Sequence, residues 1–186
     1  RDTAAYAFAR AEAALSPAPG GGTALAKPGG GSDRLVSIER LDLADGVLLL
    51  GPEAEGAALA YRLYLAALGR TPDEGGLLFH AARLAEGLPA RPLAAAFADS
   101  LEFAERYGDA PEDEAFVEAL YLNTLGREAD AAGLGFWTDA LEAGLPRAGA
   151  LFAFADSAEM AARTAPLLEG GVFLPDPDAD GDFIWG

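Results

Sequence analysis

From residue 53 onward the apolar positions recur with a helical period. Tyr61, Tyr64, Leu65 and Leu68 fall at i, i+3, i+4 and i+7, one face of a helix, and Gly69 offers the left-handed stop that ends it. Thr71-Pro72-Asp73-Glu74 predicts the next start. Thr71 serves as cap, Pro72 suits the first helical position and Glu74 closes a capping box. The second helix presents Leu77, His80 and Leu84 on one face and stops near Gly87. A third begins around Pro89 and runs through Phe97. Asp99-Ser-Leu-Glu102 reads as a further capping box, opening a short fourth helix.

Upstream the pattern changes. Val36, Ile38 and Leu41 are separated by polar residues, and Asp45-Gly46 is a hairpin turn signal followed by an apolar run, so residues 35–52 predict a small β-hairpin. Residues 2–15 are Ala-rich and predict a helix, because alanine has the highest helix propensity. The stretch from Ser16 to Ser32 is rich in Gly and Pro and reads as a flexible linker. The N-terminal helix is therefore expected to be separate from the body, as a tether to another chain or domain.

The helical pattern returns at an offset of 57 residues. Tyr64, Leu65, Leu68, Gly69, Arg70 and Asp73 map onto Tyr121, Leu122, Leu125, Gly126, Arg127 and Asp130. Gly76, Leu77 and Phe79 map onto Gly133, Leu134 and Phe136. Phe97-Ala98-Asp99-Ser100 and Glu102 map onto Phe154-Ala155-Asp156-Ser157 and Glu159. Such self-similarity marks an internal duplication. The expected fold is mainly α, two tandem copies of a small four-helix unit preceded by the hairpin. The divisions are 1–15 (helix or tether), 16–34 (linker), 35–52 (hairpin), 53–108 (first copy), 109–170 (second copy) and 171–186 (acidic tail). One such unit is too small to bury a core well, so the copies are expected to pack together.

The string Tyr-x-x-x-Leu-Gly-Arg-x-x-Asp-x-x-Gly-Leu, an aromatic three residues on, Leu-x-x-Gly and Phe-Ala-Asp-Ser-x-Glu resembles the domain of unknown function 4214 family. The resemblance extends from Leu35 to Phe173, with Ile38-Glu39-Arg40 and Asp45-Gly46 similar to the family's usual N-terminal flank. It implies paired units in bacterial extracellular proteins, often beside RTX-type calcium-binding repeats, and no established activity. Leu-Gly-Arg-x-Pro-Asp is more distantly similar to the structural linker domains of phycobilisomes. Two positions depart from the family pattern: His80 stands where Trp137 stands in the second copy, and Pro89 and Pro146 occupy a common Ser/Thr cap position.

Composition narrows the chemistry. Acidic residues outnumber basic ones, 30 to 13, for a net charge of -17, so the surface repels phosphate backbones and anionic lipid. Nucleic acid and membrane insertion are not expected as partners; no apolar run approaches a membrane span. There is no cysteine and a single histidine, which excludes thiolate chemistry and multi-histidine metal sites. Arg70 and Arg127, each three residues before Asp73 and Asp130, are expected to tie the helix corners to carbonyls and to that carboxylate. Ser100 and Ser157 sit in capping-box spacing with no histidine beside them, so a Ser–His relay is absent. Metal character is concentrated in Asp176, Asp178, Asp180 and Asp182, where alternating carboxylates and Gly181 match the opening of a calcium loop; an acidic solvated tail is the competing reading. Tyr61, Tyr107, Trp137 and Trp185 could supply aromatic faces for a surface glycan.

The expected function is a non-enzymatic structural or interaction module of an extracellular or cell-surface protein, contacting other chains of a larger assembly. The alternatives are a component of a phage-like tail or gene-transfer particle, suggested by the detached N-terminal helix, and a calcium- or glycan-binding module. Residues that differ between copies, such as Ala66-Ala67 against Asn123-Thr124 and Arg83 against Ala140, are expected to carry partner recognition.

Overall fold

The computed structural model describes residues 2–19, 21–108, 111–168 and 170–176. The protein is mainly α, with a β part at its N-terminal end. Among the described residues, eight α-helices follow the pattern of apolar positions. They are α1 (Gly51–Leu68), α2 (Glu74–Ala85), α3 (Arg91–Ala98), α4 (Leu101–Tyr107), α5 (Asp113–Leu120), α6 (Ala131–Glu142), α7 (Arg147–Ala155) and α8 (Ala158–Leu168). A π-turn over Tyr121–Leu125 continues α5. Gly69 and Gly126 end α1 and this π-turn with φ of 68° and 69°, the left-handed conformation that a side chain disfavours. Gly69→Ala is expected to destabilise by about 1 kcal/mol. A chemical-denaturation midpoint equal to that of the wild type would remove this role.

The β part is larger than a hairpin. β1 (Thr3–Ala5), β2 (Ala14–Pro17), β3 (Thr23–Ala26), β4 (Ser32–Leu35), β5 (Arg40–Leu43), β6 (Gly46–Leu49) and β7 (Val172–Pro175) build two sheets. The expected hairpin is present as β5 and β6, paired antiparallel from Leu43↔Gly46 to Arg40↔Leu49. β1 joins its outer side in parallel, and β7 pairs antiparallel with β6, giving the order β1-β5-β6-β7. The second sheet is the meander β2-β3-β4.

Three expectations are corrected here. Residues 2–15 are not a helix: they hold β1, a 3-10 turn over Arg10–Glu12 and the first half of β2. Residues 16–34 are not a linker, because Gly21, Gly22 and Gly29 to Gly31, all at positive φ, lie between strands that pair. The alanine preference for helix is a few tenths of a kcal/mol per residue over most alternatives. Burial outweighs it: Ala13, Leu25 and Leu35 close a core with Leu41, Leu43, Leu48 and Leu50. Residues 171–175 are not part of a solvated tail, since Val172 and Leu174 are buried with Val47, Leu49, Ala57 and Ala60. The two ends of the described chain thus meet in one sheet.

The largest core is helical. It joins Leu63, Tyr64 and Phe97 with Phe103, Tyr107, Phe116, Leu120, Leu151 and Phe154, so residues from both 57-residue segments fill it. The Tyr107 hydroxyl, buried there, donates to the Ala66 carbonyl at 2.5 Å.

Candidate functional site

The strongest polar constellations lie at the two corners where the left-handed glycines sit. Asp73 has extended backbone and is the N-cap of α2; its carboxylate accepts from the Gly76 N–H at 2.8 Å. Asp130 does the same for α6 through Gly133, also at 2.8 Å. The cap is therefore the aspartate and not Thr71, because only Asp73 sits three residues ahead of the orphan N–H it satisfies. A side chain at Gly76 or Gly133 would overlap the hydroxyl of Tyr64 or Tyr121, which packs against that first turn.

Arg70 lies over the Tyr64 ring, 5.5 Å from its centroid, and Arg127 over Tyr121 at 4.9 Å. Each guanidinium reaches a glutamate 32 residues on. Arg70 Nε donates to Glu102 Oε1 at 2.6 Å and Nη2 to Oε2 at 3.2 Å; for Arg127 and Glu159 the distances are 2.6 and 2.9 Å. The expected partner was the capping aspartate, yet Arg127 comes no closer than 4.0 Å to Asp130. The carbonyl part of the expectation holds, with Thr71 and Glu128 carbonyls accepting from the arginines. Glu102 is consequently not a capping-box residue. Ser100 caps α4, accepting from the Phe103 N–H at 3.1 Å while donating to the Phe97 carbonyl at 2.7 Å. Ser157 repeats both contacts with Met160 and Phe154. Asp99 is the C-cap of α3 and not the N-cap of α4.

The hydrogen bonds from the arginines hold Glu102 and Glu159 below the ordinary glutamate value of 4.5. A folded-state pKa that is lowered contributes stability above the ordinary value, lost as pH falls through the folded one. Both pairs are exposed, so solvent screening keeps the effect small. The Glu102→Gln/Glu159→Gln double variant should melt below the wild type at pH 7, with the difference closing towards pH 3. A constant gap across that range would show that the pairs do not titrate in the folded state.

The other candidates disperse. Asp176 follows β7, its N–H donating to the Asp45 carbonyl at 2.9 Å, and is exposed. Asp178, Asp180, Asp182 and Trp185 lie outside the described residues. Among the described residues no group of three or more His, Asp or Glu side chains is placed to hold a metal ion. His80 lies among the rings of Tyr64, Phe79 and Phe97, and burial lowers its pKa, keeping it neutral near pH 7. Trp137 is half-buried on Phe154 at 5.1 Å, Tyr61 is half-buried against the β-sheet core and Tyr107 is buried. No described helix is long and apolar enough to cross a membrane.

Ala66 and Ala67 are fully buried, Thr124 nearly so and Asn123 half-buried, so this difference between the segments lies largely in the core. Conversely, Phe79 and Phe136, identical at the 57-residue offset, are 57% and 64% exposed. The available signal was helical phase. Phe79 falls off the face that Leu77, His80 and Leu84 define.

A mainly helical protein whose two stretches repeat the same αL glycine, aspartate cap and arginine–glutamate tie is the class that fold and site define. The family described as Domain of unknown function (DUF4214) matches residues 51–104 and again 94–164, and the chain belongs to that family. No curated protein matches the chain.

Proposed function

We propose that the chain is a non-enzymatic structural and interaction module of a secreted or surface-assembled bacterial protein, built as two tandem copies of one four-helix unit. The copies pair α1 with α5 and its π-turn, α2 with α6, α3 with α7 and α4 with α8. The observation that carries the functional reading is the contrast between shared polar and shared apolar residues. Arg70, Asp73, Ser100, Glu102 and their counterparts are engaged with one another and with helix ends. Phe79 and Phe136 are shared too, yet they face solvent. Large aromatics are the side chains that anchor protein interfaces.

A photo-crosslinking amino acid placed at Phe79 or Phe136, in the full-length protein within its producing cell, tests this. Discrete adducts with extracellular or surface chains are expected from both positions, and none from Glu105. Adducts at neither position, or a chain confined to the cytoplasm, would overturn the reading.

A further inference from the structure

The two copies differ in what covers equivalent helix faces. In the first, α1 packs against α8, β6 and β7. Tyr61 is half-buried against the core of β6 and β7, and Arg62 is half-buried with its Nε donating to the Ala155 carbonyl at 2.9 Å. Leu65, on the same helix, is half-buried. In the second copy these positions are Glu118, Ala119 and Leu122, and Leu122 is 61% exposed. It opens onto a cleft of about 570 Å³ lined by Ala115, Glu118, Ala119, Leu122, Glu128 and Ala129. The floor is small and aliphatic; the rim carries two exposed carboxylates. Neither Glu118 nor Glu128 forms a side-chain ion pair among the described residues, although Arg127, next to Glu128, is held on Glu159.

We propose that this cleft docks a basic amphipathic peptide segment of a partner protein, which seats an aliphatic side chain on Leu122 and sets Lys or Arg against Glu118 and Glu128. The inference rests on the interaction-module reading and assigns it a surface. Charge selects the occupant. An aliphatic side chain gains by leaving water for the Leu122 floor, whereas a carboxylate on the rim repels any acidic partner. A second copy of this chain, with 30 acidic against 13 basic residues, is disfavoured for the same reason. A cationic segment meets both demands at once.

The probe is a fluorescein-labelled helical peptide of lysine and leucine, titrated into the full chain and followed by anisotropy at 150 mM salt; the matching glutamate–leucine peptide is the control. Saturable binding of the basic peptide alone is expected. Leu122→Ser and Glu118→Lys/Glu128→Lys should each weaken it tenfold or more, with melting temperatures that show the variants folded. Glu105→Lys/Glu142→Lys makes the same change in net charge away from the cleft and should weaken it less than twofold. No binding, equal binding of the acidic peptide, or equal loss in the two double-lysine variants would overturn the assignment. In those cases adducts at Phe79 and Phe136 would leave the interaction reading standing with its surface elsewhere, and their absence would remove both.

Discussion

A chain that starts at Val36 should lose roughly 5 kcal/mol of stability or more and melt about 10–20 °C below the full chain. Truncation removes Leu25 and Leu35 from a core in which Leu25 is fully buried, and it uncovers Leu41, Leu48 and Leu50 beneath them. Each leucine transferred to water costs about 1.5–3 kcal/mol, of which the truncated protein recovers part by local collapse. Backbone pairing goes too. β1 leaves the parallel edge of β5, and the meander disappears. The polar tie from Tyr6 and Lys27 to the Asp33 carboxylate, at 2.9 and 2.8 Å, goes with it. Thermal unfolding followed at a helical wavelength checks this. A truncated chain that melts with the full chain would mean that the strands add nothing to the body.

Phe116→Ala is the second large effect, expected at about 3–5 kcal/mol. Phe116 is fully buried on α5, with Phe103 and Tyr107 of α4 at 6.2 and 5.6 Å and the Arg147 guanidinium 5.0 Å from its ring. These neighbours come from both 57-residue segments, so the cavity falls on the seam between them. One calorimetric peak, moved down as a whole, is expected, because a single helical core spans both segments. Splitting into two peaks, one unmoved, would show that each segment melts by itself. Leu101→Ala is the internal comparison: Leu101 is 85% exposed, and a change within about 0.5 kcal/mol is expected.

The helical half was legible because its determinants are local. Apolar phase placed α1 and α2, and Gly69 and Gly126 marked the ends of α1 and of the π-turn after α5, since only glycine takes a left-handed backbone without steric cost. The 57-residue offset then carried each corner residue to its counterpart, down to two aspartates that accept from equivalent N–H groups, of Gly76 and Gly133. The candidate site was legible in identity and not in pairing. Arg70 and Glu102 were both visible as recurring residues, yet the capping-box spacing explained Glu102 without reference to Arg70. Only the folding of α4 back against the corner brings groups 32 residues apart to 2.6 Å.

What the sequence determined by itself is the order of the helices after residue 51, the stops at Gly69 and Gly126, the hairpin at Asp45-Gly46, the 57-residue sequence repeat and the family. Each rests on backbone preference or on a repeat that survives in linear order. Tertiary structure alone decided the rest. It turned an Ala-rich stretch and a Gly/Pro-rich stretch into strands, because each finds its hydrogen-bond partners and its buried face in distant segments: β1 on β5, β3 between β2 and β4, β7 on β6. It also decided which shared aromatic is core and which is surface. Phe97 and Phe154 are enclosed by neighbouring helices, while Phe79 and Phe136 stand in water, a distinction of packing that helical phase hints at and only contact settles.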